Sequence, residues 1–459
     1  MSKRGNPSRM LVGALTLMVT AMLVLSACGN AEPDPEKSAA PKPPALIRVS
    51  VYGPSEVTTA YAELAAAYTA KHPDTIVQVL PSPTEEAARQ ANNERREAGK
   101  SPDLFLMNVE QLPELMAARA IQPVDQPLEN RDIDFGDSYQ RDALEAFSRD
   151  TALQCMPVEV SPMVAYYNRA LINLDRPLPP EISPINPAKG WSIDQFRAAL
   201  KAMLTPRSTA LGMSASLEQL APFIWSGGGE LVDDSQDPEE LTLSEPASEA
   251  ALETLLTIVR DPSLNLSQAQ LQKRPALQRF KNGRLGVMFG YRDLVPELRA
   301  TANLDFDVLP MPRIGRLATV YRMNGLCLSA TTKNAERAAD FLAHAVSDDS
   351  ATILARTGYV VPTNTKVLVS SDFLQPDQRP VNARTYYTVL KGGRLLPETN
   401  RWVDLETSVN PMLVALFTDP VIDPLADRLE AIDQTGSLIL NPPTPTPSPT
   451  PSPSRGGTN

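Results

Sequence analysis

Apolar and polar positions in residues 45–120 alternate between strand-like and helix-like patterns. Short apolar runs at 46–52, 75–80 and 102–107 predict three strands, each bounded by glycine, proline or polar residues. Between the first two runs, apolar residues recur every three or four positions, which predicts a helix that ends near His72. Strands that alternate with helices predict an α/β fold with a mostly parallel sheet.

The loops at the carboxyl ends of these strands are the first candidates for a ligand site, because ligands of α/β sheets bind there. The loop after the first strand carries Ser55 and Glu56, and the loop after the third strand carries Glu110. Each of these side chains can exchange hydrogen bonds with a polar ligand. A solvated helix start is the alternative role for Glu110.

The middle of the chain is richer in helical patterns. Ser192 followed by Gln195 predicts a helix start with a capping box, and apolar residues at helical spacing follow at 252–259 and 335–346. The strand-like run 152–168 is unusual, since it contains two prolines, a cysteine and a glutamate between valines. Prolines remove backbone donors, so this strand is expected to have few ladder partners.

The N-terminal segment has the pattern of an export signal. Basic residues precede the apolar run 10–25, which is too short for a comfortable membrane span. The run ends in Leu25–Gly29, LSACG, which resembles a bacterial lipobox. Residues 1–27 are therefore predicted to be a lipoprotein signal peptide. Lipidation of Cys28 would anchor the protein outside the cytoplasmic membrane.

Proline-rich segments flank the predicted body of the protein. Residues 28–44 are polar, and residues 441–459 form a Pro/Ser/Thr repeat. Neither segment can bury a core, so we predict a disordered tether and a disordered tail.

Composition narrows the classes of function. A length of 459 residues favours two lobes over a single core. The formal net charge of −11 argues against a nucleic-acid partner, which would require a basic face. The sequence contains only two histidines, His72 and His344, which excludes a histidine-rich metal site. No metal or cofactor is expected.

Motifs of common enzymes are absent from the sequence. It contains no G-x-S-x-G, H-E-x-x-H or C-x-x-C motif, no P-loop and no G-x-G-x-x-G. The 54 acidic residues leave a glycosidase carboxylate pair open, but no spacing nominates one. We therefore expect no enzymatic activity.

Eight segments, taken in order, resemble the extracellular solute-binding proteins of ABC transporters, the family that includes maltose-binding protein. Each match is weak alone, but together they span nearly all of residues 45–440. The matching segments are 102–125, Pro157 with Tyr166–Asn168, Gly190–Phe196, Phe223–Asp233, Phe280–Gly290, Pro310–Pro312, Lys333–Leu342 and Gly358–Pro362.

The resemblance implies a two-lobed periplasmic-binding-protein-like α/β fold with discontinuous lobes joined by hinge strands. Lobe one would comprise 45–155 and 326–380, and lobe two would comprise 156–325 and 381–440. Such proteins act as monomers that close on a solute and deliver it to a membrane permease, without covalent chemistry.

The resemblance also places the second crossing between the lobes beside the first. The first crossing contains Cys155 and the second contains Cys327. With Cys28 lipidated, these two remain as an even pair in an oxidising compartment. We therefore predict a Cys155–Cys327 disulfide.

Further ligand candidates follow from the family's cleft positions. They are Ser161 beyond the first crossing, Trp225 in the glycine-rich turn, Tyr291 and Arg292 after Gly290, Asn324 before the second crossing, and Trp402 in the C-terminal segment. Aromatic rings cover the CH faces of sugars, and planar polar groups pair with their hydroxyls.

A sugar or oligosaccharide is the solute that most relatives imply. Arg292 stands where sugar binders commonly carry tryptophan, and it suits an anionic ligand through paired donors. A carrier for a phosphate-bearing solute such as a glycerophosphodiester is therefore the alternative. An exported carbohydrate-active enzyme is the outside possibility.

Overall fold

The computed structural model describes residues 43–174, 177–202 and 208–443. The predicted signal peptide, the lipidation site Cys28, and most of the tether and the tail lie outside the described residues. Within the described ranges, no helix is both long and apolar enough to cross a membrane.

The strands are numbered in chain order. They are β1 (Ala45–Tyr52), β2 (Thr75–Ser82), β3 (Leu104–Asn108), β4 (Ile121–Gln122), β5 (Ser148–Arg149), β6 (Ala152–Leu153), β7 (Cys155–Pro162), β8 (Val164–Asn168), β9 (Thr209–Leu211), β10 (Leu285–Gly290), β11 (Phe306–Leu309), β12 (Thr319–Ser329) and β13 (Gly393–Arg394).

The helices are numbered in the same way, and short 3₁₀ turns cover Val109–Gln111, Arg292–Leu294 and Val389–Gly392. They are α1 (Ser55–Lys71), α2 (Glu85–Glu97), α3 (Leu112–Ala117), α4 (Asp125–Glu129), α5 (Arg141–Ala146), α6 (Ile193–Ala202), α7 (Leu217–Gly227), α8 (Pro246–Val259), α9 (Gln268–Lys273), α10 (Ala276–Lys281), α11 (Val295–Arg299), α12 (Ala335–Ala345), α13 (Asp348–Arg356), α14 (Thr365–Leu368), α15 (Ser371–Leu374), α16 (Thr385–Thr388), α17 (Trp402–Thr418) and α18 (Leu425–Leu440).

The first sheet contains the three strands predicted from the N-terminal half. β1 pairs in parallel with β2 on one side and with β3 on the other. The order continues from β3 to β12 and β13, and β4 and β7 also pair with β12. The expectation of a mostly parallel sheet holds for β1–β3 and for the short pair of β12 with β13. The sheet becomes mixed because β12 returns from the second sheet antiparallel to β3.

The second sheet has the order β11-β8-β10-β9. β8 lies antiparallel to both β10 and β11, and β9 pairs in parallel with β10. Because β8 follows β7 after a single residue, the chain passes directly from the first sheet into the second.

Two hydrophobic clusters stabilise the fold. In one, Val49 of β1 and Leu64 of α1 pack with Phe341 of α12. In the other, Trp191 and Phe196 pack edge to face, with ring centroids 5.0 Å apart, and the Trp191 indole nitrogen donates to the Pro310 carbonyl at 2.9 Å. Each fully buried large apolar side chain contributes roughly 1.5–3 kcal/mol.

The predicted capping box at the start of α6 is confirmed. The Gln195 backbone N–H donates to the Ser192 hydroxyl at 3.2 Å, and the Ser192 backbone N–H donates to the Gln195 side-chain oxygen at 2.8 Å. Two amides that would otherwise lack partners at this helix start are thereby satisfied.

The two crossing strands, β7 and β12, pair with each other in antiparallel orientation, and Cys155 lies directly opposite Cys327. The predicted disulfide between these cysteines is confirmed. The ladder has a β-bulge where Asn324 pairs with Glu159 while Gly325 pairs with Pro157. Bulges re-aim the neighbouring side chains, and this one lies beside the cavity described below.

We expect the disulfide to be a large term in the stability of the protein. It closes a loop with a sequence separation of 172 residues. The double variant Cys155→Ala/Cys327→Ala should lose on the order of 5 kcal/mol of unfolding free energy on the chain-entropy model. Urea denaturation with and without reductant measures the loss. Reductant should destabilise the wild type and leave the double variant unchanged; equal midpoints for all four samples would contradict the expectation.

Candidate functional site

A cavity of about 260 Å³ lies at the carboxyl ends of β1 and β3, beside the two crossing strands and the turn that follows β10. Its position agrees with the rule that ligands of α/β sheets bind at the carboxyl ends of strands. Its lining consists of Tyr52, Gly53, Pro54, Val57, Tyr61, Thr84, Glu85, Leu106, Asn108, Val158, Glu159, Ser161, Tyr291, Asp293, Arg322, Asn324, Tyr359 and Val360.

The turn from β1 into α1 forms one wall of this cavity. Gly53 has φ +128°, a conformation that side chains disfavour, and it allows the chain to turn sharply before Pro54. Tyr52 precedes the turn and Tyr61 lies two turns along α1, so both rings border the same space.

A chain of hydrogen bonds connects three strands at the cavity wall. The Tyr52 hydroxyl of β1 donates to the Asn324 side-chain oxygen of β12 at 2.7 Å. The Asn324 side-chain nitrogen donates to Glu159 Oε2 of β7 at 2.7 Å. One amide therefore orients both a phenol and a carboxylate toward the cavity.

Glu159 has the most strongly perturbed carboxyl group of the cavity lining. Burial raises its pKa to about 7, although the hydrogen bond from Asn324 acts in the opposite direction. The nearby Asp293 carboxylate raises the pKa further, while Arg322 lowers it. Near neutral pH the group can therefore accept a proton or release one.

A second group of contacts forms around Arg322 of β12, two residues before Asn324. Its guanidinium donates to Glu218 Oε1 at 2.8 Å and lies 4.0 Å from the Tyr291 ring centroid. The Tyr291 hydroxyl donates to the same Glu218 oxygen at 2.7 Å. The pKa of Asp293, two residues beyond Tyr291, is raised, because the effect of burial outweighs the opposing charge of Arg322.

A further carboxylate, Glu85, lines this space, and two others interact electrostatically with groups around it. Glu85 begins α2 and accepts a hydrogen bond from the Gln111 side chain at 2.7 Å, and burial raises its pKa. Partial loss of water and then the charge of Glu85 raise the pKa of Glu110. Burial and then the charge of Glu218 raise the pKa of Glu406. The site is therefore strongly acidic.

Of the residues that the sequence nominated, Ser161, Tyr291 and Asn324 line the cavity. The Ser161 hydroxyl accepts a hydrogen bond from the Arg292 amide at 3.3 Å. The predicted loops also contribute, but through Gly53, Pro54 and Asn108 rather than through the nominated side chains.

Ser55, Glu56 and Glu110 do not line the cavity. Ser55 and Glu56 are exposed at the start of α1, where the Ser55 hydroxyl donates to Glu56 at 3.0 Å. Glu110 is exposed in the 3₁₀ turn after β3 and acts on the site through its charge.

The structure places Arg292 outside the cavity lining. It is fully buried, and its guanidinium donates to the Gly358 and Phe373 carbonyls at 3.0 Å each. It also lies over the rings of Phe373 and Tyr386, at 4.6 and 5.0 Å. Tyr291 has an extended backbone, so Tyr291 and Arg292 project to opposite sides.

The two nominated tryptophans also lie outside the cavity lining. Trp225 is 2% exposed in the second hydrophobic cluster, with the Arg394 guanidinium 4.7 Å from its ring. It borders a separate cavity of about 310 Å³. Trp402 begins α17 and is half-buried against the second cluster.

Several cavity residues were not nominated from the sequence, notably Tyr52, Glu85, Glu159, Asp293 and Arg322. Glu159 had a usable signal, because a glutamate between valines in an apolar strand is an unexpected charge. The others are ordinary at the sequence level, since only the fold brings them together.

A family model described as bacterial extracellular solute-binding protein matches residues 63–380 of the chain. No curated protein matches the sequence.

Solved structures share the fold. The sugar-binding protein MalE from the phytopathogen Xanthomonas citri has a TM-score of 0.73 at 16% identity, over 86% of this chain and 97% of that one. An ABC substrate-binding protein from Listeria monocytogenes in complex with cycloalternan has a TM-score of 0.69 at 19% identity, over 85% and 99%. The GacH receptor of Streptomyces glaucescens was solved unliganded and with acarbose. Its TM-score is 0.68 at 16% identity, over 85% of this chain and 98% of that one.

The raised pKa of Glu159 predicts a pH-dependent stability. The folded protein holds this proton up to a pKa of about 7, above the ordinary glutamate value of 4.5, so stability falls as pH rises through this window. Glu159→Gln should remove that dependence. Because the group also faces cavity water, we expect a gain of roughly 1–2 kcal/mol at pH 8 and little change at pH 4.

Urea denaturation of both proteins across this pH range measures the difference. The exposed Glu253→Gln on α8 is the matched control and should follow the wild type. A constant difference between Glu159→Gln and the wild type at every pH would show that Glu159 titrates normally.

Proposed function

We propose that this chain, which belongs to the bacterial extracellular solute-binding protein family, captures a carbohydrate for an ABC transporter. The family consists of binding proteins rather than enzymes, so the chain's chemistry is recognition and release. The single observation that carries the carbohydrate assignment is the cavity lining, which combines tyrosine rings with carboxylate and amide acceptors.

The lining suits the two surfaces that a sugar presents. Tyr52, Tyr61 and Tyr359 offer flat apolar faces for the CH groups of a pyranose ring. Glu85, Asn324 and the other planar polar groups can accept hydrogen bonds from hydroxyls. Several structural neighbours are sugar-binding proteins or were solved with a carbohydrate bound, which supports the same class of solute.

The observations favour this over a phosphate-bearing solute. Arg292, on which the alternative rested, donates to backbone carbonyls away from the cavity. The one guanidinium in the described lining, that of Arg322, already pairs with Glu218. A phosphate would therefore meet mainly carboxylates, which repel it. The carbohydrate-active enzyme is not supported, because the family does not consist of enzymes.

Four further parts of the proposal come from the sequence. The lobes would be 45–155 with 326–380 and 156–325 with 381–440, and the solute would be enclosed as they close. The lipid on Cys28 would hold the protein at the outer face of the membrane. A permease would receive the solute there, and the protein would act as a monomer.

A thermal-shift panel tests the class of solute. A ligand that binds only the folded protein raises the unfolding midpoint, by roughly 3 °C at 100 times its dissociation constant for a protein of this size. We expect a shift with at least one mono- or oligosaccharide and none with glycerophosphodiesters. A shift with glycerophosphocholine alone would refute the carbohydrate assignment, and turnover of a glycan would refute the binding-protein assignment.

Asn324→Ala tests the site itself. This change removes the amide that orients both Tyr52 and Glu159, so we expect the affinity for the sugar to fall by about 10–100-fold. Isothermal titration measures the affinity. Asn130→Ala, at the exposed end of α4, is the control and should bind as the wild type does. Unchanged affinity in Asn324→Ala would place the ligand elsewhere.

A further inference from the structure

We propose that the solute carries a protonated amino group beside its hydroxyls, as an amino sugar does, and that Glu159 and Asp293 receive this group. The proposal rests on the proposed function and narrows its substrate class. Three observations support it: the cavity lining carries more carboxylates than cations, its one described arginine is already paired, and tyrosines border it.

The cavity carries an excess of negative charge. Three carboxylates, Glu85, Glu159 and Asp293, line it with a single guanidinium, that of Arg322. Two more carboxylates interact with these groups electrostatically: Glu110 with Glu85, and Glu218, which itself pairs with Arg322, with Asp293.

Arg322 does not balance this excess. Its guanidinium forms an ion pair with Glu218 at 2.8 Å and stacks on Tyr291. Arg89, whose charge lowers the pKa of Glu85 from outside the cavity lining, pairs with Glu86 at 2.8 Å. Among the described residues that line the cavity, Glu85, Glu159 and Asp293 therefore have no cation of their own.

A tyrosine hydroxyl also lacks a partner within this space. The Tyr61 side chain is 3% exposed and lines the cavity, and its hydroxyl forms no hydrogen bond with any residue in the described ranges. Its interactions with Tyr52 and Glu159 place it near both groups. An ammonium group can donate to such an oxygen and also favours the faces of neighbouring aromatic rings.

A neutral sugar would leave the charge of the cavity uncompensated. When a solute displaces the cavity water, the carboxylates lose hydration that hydroxyl groups replace only in part. An ammonium group supplies three donors and a full positive charge, so it compensates for the lost water at two carboxylates at once.

An organic cation fits this site better than a metal ion does. No three carboxylate, histidine or cysteine groups of the described residues converge as metal ligands. The carboxylates are instead distributed around a space of about 260 Å³, which suits a compact organic solute.

The test compares glucosamine with N-acetylglucosamine, glucose, maltose and the sugar-free amine ethanolamine on the full-length protein by isothermal titration. Acetylation removes the charge of glucosamine and keeps its ring and hydroxyls. We expect glucosamine to bind about 10–100-fold more tightly than the neutral sugars, as a charge-assisted contact implies. Its affinity should also fall as salt is raised.

Two variants connect the preference to the proposed contacts. Glu159→Gln and Asp293→Asn keep the shape of the side chains and remove one charge each. Each should weaken glucosamine binding by about tenfold or more and leave N-acetylglucosamine within about twofold. Glu253→Gln is the control and should change neither affinity. If one variant fails to fold, the other still decides the question.

Measuring the protons released on binding distinguishes recognition of the ligand's charge from recognition of its shape. Pairing with an ammonium group favours the ionised form of Glu159, so binding should release protons near neutral pH. The binding heat of glucosamine should then vary with the ionisation enthalpy of the buffer. In Glu159→Gln this variation should shrink.

The outcomes distinguish the two proposals. Equal affinity for glucosamine and N-acetylglucosamine, or a preference for the neutral sugars, overturns the amine and leaves the carbohydrate function standing. Binding of ethanolamine with no sugar supports the amine and overturns the carbohydrate. Absence of binding by every probe overturns both.

Discussion

The antiparallel pairing of β7 with β12 holds together the passage between the two sheets, the disulfide and one side of the cavity. These strands carry the chain between the two sheets, and the Cys155–Cys327 bond fixes their register at one end. At the other end the bulge next to Glu159 turns a carboxylate toward the cavity. Gly325 is required between these points, because a Cβ there would lie 2.7 Å from the Phe147 ring. The disulfide, the register of the two strands and one side of the cavity therefore all belong to the same strand pair.

Local patterns predicted the elements of the first sheet because its strands have distinct local boundaries. Gly53 ends β1, and the predicted runs 46–52 and 75–80 fall within β1 and β2. The pairing of β12 with β3 was beyond such patterns, since it joins residues more than 200 positions apart and depends on tertiary packing. The disulfide was reached only through the family resemblance, and the lobe bounds stay a prediction.

The sequence predicted the position of the candidate site, at the carboxyl ends of strands, but only some of the residues that line the cavity. Tyr291 and Arg292 illustrate the limit: both follow Gly290, and the backbone angle that sends one into the cavity and the other into the core is not readable from residue type. Trp225 lies near the end of α7, where the second cluster and Arg394 cover its ring. Charges assembled from separate elements, such as Glu85 and Asp293, become a site only after folding.

Side chains alternate between the two sides of β12. Arg322 and Asn324 line the cavity, whereas Tyr321 and Met323 line a separate groove on the other side of the strand. Substitutions at the even positions therefore alter the cavity while the odd positions keep their own contacts, so the two sides of this strand can be engineered independently.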